Sequence, residues 1–270
     1  MNPWQQTAGA VALCAGGAVF ARWLARQATG WWVTAFVVSL GIIFIYGVER
    51  YTVGLESIPP FSWIWRGRHP QILGALVIPI ALLTPARRLA GMRLRILMGG
   101  LAAMALASFV VMPFLLPALA VPELSKLSTK IDRDGICIQQ TDYTCGPAAA
   151  VTALRRMGLP ADEGQLAIWS STSPYGTMTE DLLEAINEHY GRDGVSASYQ
   201  QFKSVGELRE AGPTLAVVKF GFLVDHFVCV LEATNGHVIV GDPLNGRAEY
   251  SESQFADYWR FSGIVLAKQR

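Results

Sequence analysis

Four long stretches without a charged side chain dominate the first 121 residues and restrict what this part of the chain can form. They cover about residues 4–21, 31–48, 70–86 and 97–121, and all four are predominantly apolar. A helix that crosses a bilayer needs about 20 apolar residues, and it bonds its own backbone groups internally. We therefore predict an all-α transmembrane domain of four helices over residues 1–121, with the lipid bilayer as its partner.

The alternative for this region is a water-soluble helical core whose first stretch is a cleaved signal peptide. A signal peptide begins with basic side chains and ends at a cleavage site of small residues. Here the start, Met1–Trp4, has no basic side chain, and Arg22 follows the apolar stretch instead of preceding it. The sequence therefore favours the membrane interpretation.

Charge is distributed unevenly between the two halves of the chain. Residues 1–121 contain nine Arg, no Lys and two Glu, whereas residues 122–270 contain 13 Lys and Arg against 19 Asp and Glu. This balance indicates a basic membrane domain followed by an acidic domain of ordinary soluble composition. We predict no nucleic-acid partner for either half.

The arginines also predict an orientation in the cell (inner) membrane. Arg22 and Arg26 follow the first apolar stretch, and four arginines lie at 87–95, between the third and the fourth. The positive-inside rule places both groups in the cytoplasm, so that residues 122–270 emerge on the extracytoplasmic side. Three further arginines in the loop at 49–69 oppose this orientation, and one miscounted helix would reverse it.

The second half combines a helical part with a strand-rich part. After a polar linker at 122–135, helices are predicted at 145–157, 162–169, 179–190 and 205–211. Strands are predicted at 214–220, 227–233, 237–240, 248–250 and 264–266, with a helix at 252–259. Helices followed by an antiparallel sheet form an α+β domain, which we place at residues 136–270.

One cysteine stands at the start of a predicted helix. Cys145 follows Gln139 by six residues, in the sequence Gln-Gln-Thr-Asp-Tyr-Thr-Cys-Gly-Pro. A helix N-terminus favours negative charge, so it lowers the pKa of a thiol and favours the reactive thiolate. We predict Cys145 as a nucleophile and Gln139 as the donor to an oxyanion, with Gln140 as the competing donor. Taken alone, Cys145 is better explained as a buried structural cysteine.

A histidine and an aspartate follow in the strand-rich part. His226 opens a predicted strand, so its ring can stay accessible and take the thiol proton as a general base. Asp242 precedes Pro243 and can orient the ring through its other nitrogen. The alternatives are a structural strand histidine and a turn-forming Asp-Pro pair. His237 and His189 are weaker choices, because one lies beside a predicted turn and the other ends a predicted helix.

The predicted hairpin turn at Asn235-Gly236 places a condition on this pair. A two-residue turn pairs residues whose numbers sum to 471, which sends Asp242 to the face of the sheet opposite His226. The two side chains can meet only through a β-bulge, a loop of three or five residues, or release of Asp242 at the strand end. We predict that one of these three devices is present.

No metal or cofactor is predicted. Cys145, His226 and Cys229 could supply zinc ligands, but the sequence has no paired spacing of metal ligands. It also has no glycine-rich P-loop, so no ATPase activity is predicted. Cys137 and Cys229 are predicted as buried thiols, with a disulfide between them as the alternative.

Together these residues resemble the bacterial cysteine peptidases that remove double-glycine leader peptides from bacteriocins and related secreted peptides. The resemblance covers about residues 130–267 and rests on five matching positions: Gln139, Cys145, Gly146, His226 and Asp242. It implies a papain-like fold and cleavage of a peptide bond. Well-known members are fused to a transporter, which makes a separate transporter or secretion system an expected partner here. In those transporters the peptidase domain precedes the membrane helices, so the double-glycine specificity is not carried over.

We predict a membrane-anchored cysteine peptidase that cleaves a peptide or protein substrate, or its leader, through an acyl-enzyme. Two alternatives remain open. A papain-like amidase or acyltransferase would use the same nucleophile, whereas a non-catalytic membrane-bound module would only bind a peptide. The complete set of Cys145, His226, Asp242 and Gln139 favours an enzyme.

Overall fold

The computed structural model describes residues 3–49, 68–221 and 224–268. The chain divides into two compact units, Met1–Ala118 and Leu119–Arg270. Most of the predicted loop at 49–69, including Arg50 and Arg66, lies outside the described residues.

Four helices in the described part of the chain are long and apolar enough to cross a membrane. They are α1 (Pro3–Leu24), α2 (Thr29–Glu49), α3 (His69–Ala86) and α4 (Met92–Leu124). The four predicted apolar helices are therefore present. All four are longer than predicted, and the first and fourth include the arginines that border their apolar stretches: Arg22 in α1, and Arg93 and Arg95 in α4. α4 contains a π-helical turn at Ala107–Val111, shortly before Pro113, which lacks a backbone N–H.

α1 and α3 approach closely because both carry small residues where they meet. Gly17 of α1 lies against the backbone carbonyl of Ala75, so a side chain at position 17 would overlap this oxygen. Gly74 lies against the ring of Phe109 in α4. Close approach through small residues is typical of helix pairs in membranes, where van der Waals packing drives association.

Alanine at position 17 is expected to destabilise the first unit, whereas alanine at position 16 is not. A methyl group at 17 meets the Ala75 carbonyl, but at Gly16 it meets no described atom within 4 Å. Overpacking of this kind costs about 1–3 kcal/mol. Thermal unfolding of both variants in detergent is the measurement, and equal midpoints for Gly17→Ala and Gly16→Ala would contradict the packing.

The second unit combines helices with an antiparallel sheet, which confirms the predicted α+β class. Its helices are α5 (Cys145–Arg156), α6 (Glu163–Trp169), α7 (Thr179–Tyr190), α8 (Leu208–Ala211) and α9 (Glu252–Tyr258). Its strands are β1 (Lys130–Ile131), β2 (Cys137–Ile138), β3 (Val195–Gln201), β4 (Thr214–Gly221), β5 (Val224–Ala233), β6 (His237–Asp242), β7 (Gly246–Ser251) and β8 (Trp259–Lys268). β1 pairs with β2, and the other six strands form one sheet in the order β3-β8-β4-β5-β6-β7.

Helices cover both faces of the six-stranded sheet, and side chains along β4 alternate accordingly. Leu215 and Val217 belong to the apolar cluster that contains α5 and α7. Ala216 and Val218 belong to a second cluster, which contains Phe255 of α9. Because successive side chains of a strand point to opposite faces, this alternation gives a three-layered unit with the sheet in the middle.

Pairing between distant segments adds strands that the local sequence pattern does not show. The segment predicted as a linker at 122–135 includes β1, which pairs with β2. β3 has the polar sequence Val-Ser-Ala-Ser-Tyr-Gln-Gln and was not predicted, but it pairs with β8 along its whole length at one edge of the sheet. β5 begins at Val224, earlier than predicted, because its first residues pair with β4.

Candidate active site

Cys145 is the first residue of α5, and the alanines that follow it bury this helix. Ala148–Ala150 are fully buried, and their small side chains let α5 lie close to β5. Cys145 itself is only partly buried, so its thiol remains reachable. Cys145 also stands at the positive end of the helix dipole, which favours negative charge.

His226 interacts with the side chains of both Cys145 and Asp242. Its Nε2 makes a hydrogen bond of 2.8 Å with Oδ1 of Asp242, and the Cys145 side chain helps to raise its pKa. Asp242 also accepts hydrogen bonds from the backbone N–H of Leu244 at 2.9 Å and from Nδ2 of Asn245 at 2.7 Å. His226 and Asp242 are both buried. The structure thus brings three of the predicted site residues together, with His226 hydrogen-bonded to Asp242 and interacting with Cys145.

A β-bulge in β5 places His226 and Asp242 on the same face of the sheet. The turn at 235–236 pairs residues whose numbers sum to 471, but beyond Leu231 the sum is 470. If this register continues by one residue, Asp242 lies opposite Val228. Val228 and His226 are two residues apart on one strand, so their side chains lie on the same face of the sheet. The prediction that a bulge, a loop of three or five residues, or release of Asp242 at the strand end is needed is confirmed, and the structure contains the bulge.

The pKa values of His226 and Asp242 are shifted in opposite directions. Burial alone lowers the pKa of His226, but the hydrogen bonds and charges of Asp242 and Cys145 outweigh it and raise this pKa to about 9. Burial alone raises the pKa of Asp242, but hydrogen bonds from His226, Leu244 and Asn245 hold it below its usual value. At neutral pH the site therefore favours an imidazolium, which stabilises a neighbouring thiolate.

Gln139 lies beside the end of β6. Its backbone N–H donates to the carbonyl of Pro243 at 2.9 Å, and its side-chain Nε2 donates to the carbonyl of Thr141 at 2.7 Å. Its Oε1 is buried and has no hydrogen-bond partner among the described residues. Gln140 donates its Nε2 to the carbonyl of Ile138 at 3.1 Å. Because a side-chain amide has two N–H groups, Gln139 keeps one donor besides the one that Thr141 uses.

The other histidines and cysteines of this unit lie in different surroundings. His237 is exposed, and the ring of His189 stacks on Trp169 with a centroid distance of 3.7 Å. Cys137 and Cys229 are buried free thiols, and burial raises the pKa of each to about 12. Within the described ranges, no group of three or more His, Cys, Asp or Glu side chains could hold a metal ion.

Two polar residues that contact the site were not predicted. Asn245 binds Asp242, and a local signal was present, because Asp-Pro-Leu-Asn is a typical turn sequence. Glu163 binds the segment between Gln139 and Cys145. No local signal could have identified Glu163, since an acidic residue in the first turn of a helix is ordinarily exposed.

Comparison with known sequences identifies the family to which the second unit belongs. The model of the peptidase C39 family matches residues 133–270, just over half of the chain. The chain belongs to the peptidase C39 family. This C39 region is a cysteine peptidase domain, which confirms the predicted family and enzyme class.

Three similar proteins each cover about half of this C39 peptidase. An uncharacterized protein of Methanothermobacter marburgensis is 29% identical over 148 residues, which are 55% of this chain and 97% of the relative. The probable functional amyloid protease FapD of Pseudomonas aeruginosa is 30% identical over 135 residues, 48% of this chain and 58% of the relative. The solved peptidase domain of Streptococcus ComA, a bi-functional ABC transporter, covers 49% of this chain and 96% of that domain, at 23% identity and a TM-score of 0.43.

Asparagine at position 242 is expected to lower the pH at which this C39 peptidase loses activity on the alkaline side. If the imidazolium of His226 protonates the leaving amine, turnover falls as the pH rises through its pKa of about 9. Asp242→Asn removes the negative charge and the charge-assisted hydrogen bond that raise this pKa. The measurement is the pH dependence of cleavage by both proteins, and an unchanged alkaline limb would contradict the coupling.

The same variant provides an independent check through stability. The folded pKa of His226 is raised above 6.5, so its contribution to stability is complete below pH 6.5 and is lost as the pH rises to about 9. Asp242→Asn should therefore lower the thermal midpoint more near pH 6 than near pH 10.

Proposed function

We propose that this protein is a membrane-anchored cysteine peptidase with Cys145 as nucleophile, His226 as general base and acid, and Asp242 as the residue that orients His226. Gln139 supplies a hydrogen bond to the oxyanion. The observation that carries the proposal is a buried His226 that hydrogen-bonds Asp242 and interacts with Cys145 at the start of a buried helix. If Cys145 were exposed and had no neighbouring histidine, the structure would not support this proposal.

The reaction divides into two steps. The Cys145 thiolate attacks the carbonyl carbon of a peptide bond, and the negative charge moves to the carbonyl oxygen. The Cys145 backbone N–H and the second N–H of Gln139 stabilise this oxygen. The His226 imidazolium gives its proton to the leaving amine, which departs and leaves a thioester on Cys145. His226 then removes a proton from water, which attacks the thioester and releases the acid and the free enzyme.

The membrane domain, which we place at residues 1–121, anchors the peptidase domain at 136–270. The arginines at 87–95 favour a cytoplasmic loop between α3 and α4, and therefore a peptidase domain on the extracytoplasmic side. A peptidase held there meets secreted peptides or proteins, or their leaders, close to the bilayer. The similarity to FapD, a probable functional amyloid protease, supports an amyloid-forming protein as substrate. A separate transporter or secretion system would deliver it.

The proposal is tested on the full-length protein in two steps. Intact membranes are treated with a membrane-impermeant maleimide before and after permeabilisation, and modified Cys145 is quantified by mass spectrometry. The detergent-purified protein is then incubated with a mixed peptide library, with and without glycinamide as an added acyl acceptor, and new peptide termini are identified.

Each outcome of this experiment separates two interpretations. New carboxyl termini show hydrolysis, whereas products that carry glycinamide in their place favour the acyltransferase alternative. Modification of Cys145 only after permeabilisation would reverse the proposed orientation and keep the chemistry. A folded protein with no cleavage and no fast modification of Cys145 would contradict the peptidase and favour a binding module.

A further inference from the structure

Glu163, the first residue of α6, carries a carboxylate that the protein interior encloses completely. The residue is fully buried, although the side chain of a first-turn glutamate ordinarily reaches solvent. Removing a carboxylate from water costs several kcal/mol, which specific partners offset. Oε1 of Glu163 has such partners, whereas its buried Oε2 has none among the described residues. Burial accordingly raises the pKa of Glu163. Because burying this carboxylate costs free energy, we expect Glu163 to have a function beyond starting its helix.

Glu163 is not needed to begin α6, because Asp162 performs that task. Oδ1 of Asp162 accepts a hydrogen bond from the backbone N–H of Gln165 at 2.9 Å, which is the standard N-cap contact. The carboxylate of Glu163 instead contacts the segment that leads into α5. Its role therefore lies outside its own helix.

One oxygen of Glu163 binds both ends of the segment between Gln139 and Cys145. Oε1 accepts from the backbone N–H of Gln140 at 2.9 Å and from Oγ1 of Thr144 at 2.7 Å. Gln140 adjoins the oxyanion donor, and Thr144 adjoins the nucleophile. Because both ends of the segment bind the same oxygen atom, this atom limits the distance between the oxyanion donor and the nucleophile.

We propose that Glu163 is a positioning residue that holds the oxyanion donor Gln139 and the nucleophile Cys145 at their working separation. This inference rests on the peptidase function proposed above and adds a residue to it. Thr144 stands at the N-cap of α5, yet its side chain makes no cap hydrogen bond; its hydroxyl accepts from Thr141 and donates to Glu163 instead. Glu163 therefore takes over the fixing of the α5 start that an ordinary N-cap side chain would provide.

The backbone of Glu163 is itself held by the segment that follows α4. Its N–H donates to Oγ1 of Thr129 at 2.9 Å, and the same hydroxyl donates to Oδ2 of Asp162 at 2.6 Å. Gly164 lies against the carbonyl of Leu124, where any side chain would collide with this oxygen. These contacts restrict movement of the backbone that carries the carboxylate, as a positioning role requires.

The test compares Glu163→Ala with Glu163→Gln in the full-length protein. Alanine removes the acceptor, so kcat should fall about 10²-fold or more with little change in KM, because the oxyanion donor is displaced from the transition state. Alkylation of Cys145 by iodoacetamide forms no oxyanion, so its rate should fall by less than kcat. Glutamine retains an oxygen for both hydrogen bonds and should restore kcat to within about tenfold of the unmodified protein.

Asn187→Ala is the matched control for a purely structural effect. Asn187 also makes two hydrogen bonds to backbone, accepting from the N–H of Ala197 at 2.7 Å and donating to its carbonyl at 2.9 Å. Its loss should lower the thermal midpoint and leave kcat nearly unchanged. If Glu163→Ala does not fold, Thr144→Val removes one of the two hydrogen bonds and should lower kcat about tenfold.

Two results would overturn the positioning role. One is a Glu163→Ala protein whose kcat is normal. A fall in kcat no greater than that of Asn187→Ala, when both variants have the same thermal midpoint, would count equally. The other is a Glu163→Gln protein as inactive as Glu163→Ala, since that would assign the effect to the charge. Absence of both cleavage and Cys145 alkylation in the unmodified protein would instead contradict the proposed peptidase function.

Discussion

Replacing Cys145 by alanine is expected to abolish peptide cleavage, with a fall in kcat of about 10⁴-fold or more. The proposed reaction passes through a thioester on this sulfur, and alanine has no atom that can form one. The described part of the peptidase unit offers no substitute, because Cys137 and Cys229 are buried and burial raises the pKa of each to about 12. Initial rates of cleavage, measured by mass spectrometry, test this result.

The control for Cys145→Ala is Cys229→Ala, which makes the same chemical change at a buried thiol in β5. It should reduce stability, since Cys229 is fully buried in the apolar cluster against α5, but the variant should keep its activity. Cleavage by Cys145→Ala at more than about 1% of the normal rate, with the normal product, would remove Cys145 from the mechanism.

Replacing His226 by alanine is expected to lower kcat about 10³-fold or more and to slow alkylation of Cys145. The variant loses the proton acceptor and donor of both steps, and the cation that stabilises the thiolate. It also leaves Asp242 buried with only its hydrogen bonds from Leu244 and Asn245. The thermal midpoint should therefore fall as well, and it must be measured beside the kinetics.

His237→Ala is the matched control for the histidine. His237 lies on the neighbouring strand β6 but is exposed, where its Nδ1 is 3.2 Å from Oε1 of Glu249. An exposed pair of this kind contributes little, so activity and stability should both stay near normal. Equal rates of Cys145 alkylation in His226→Ala and His237→Ala would show that His226 does not activate the thiol.

Features that depend on residues close together along the chain could be predicted from the sequence. The four apolar helices follow from the length of each charge-free stretch, and the start of α5 at Cys145 follows from the alanines and the proline after it. The turn at 235–236 follows from Asn-Gly, whose glycine adopts a positive φ of 104°. The motif around Cys145 identified the peptidase family, which was confirmed. The catalytic roles of its residues stay predictions.

The tertiary structure decided the features that depend on which segments pack together. The sequence showed that His226 and Asp242 need a special device to meet, but only the register of β5 and β6 places a bulge at Leu231. β3 forms a strand because β8 provides its partner, although its own residues are polar. Glu163 binds Gln140 across 23 residues of sequence.

Sequence alone determined the four long apolar helices, the helix start at Cys145 and the order of Gln139, Cys145, His226 and Asp242 along the chain. Strand register, the burial of Glu163 and the partners of each polar side chain were decided only by the fold. The physical reason is that helix length and tight turns are local, whereas register and burial minimise the free energy of the whole packed unit.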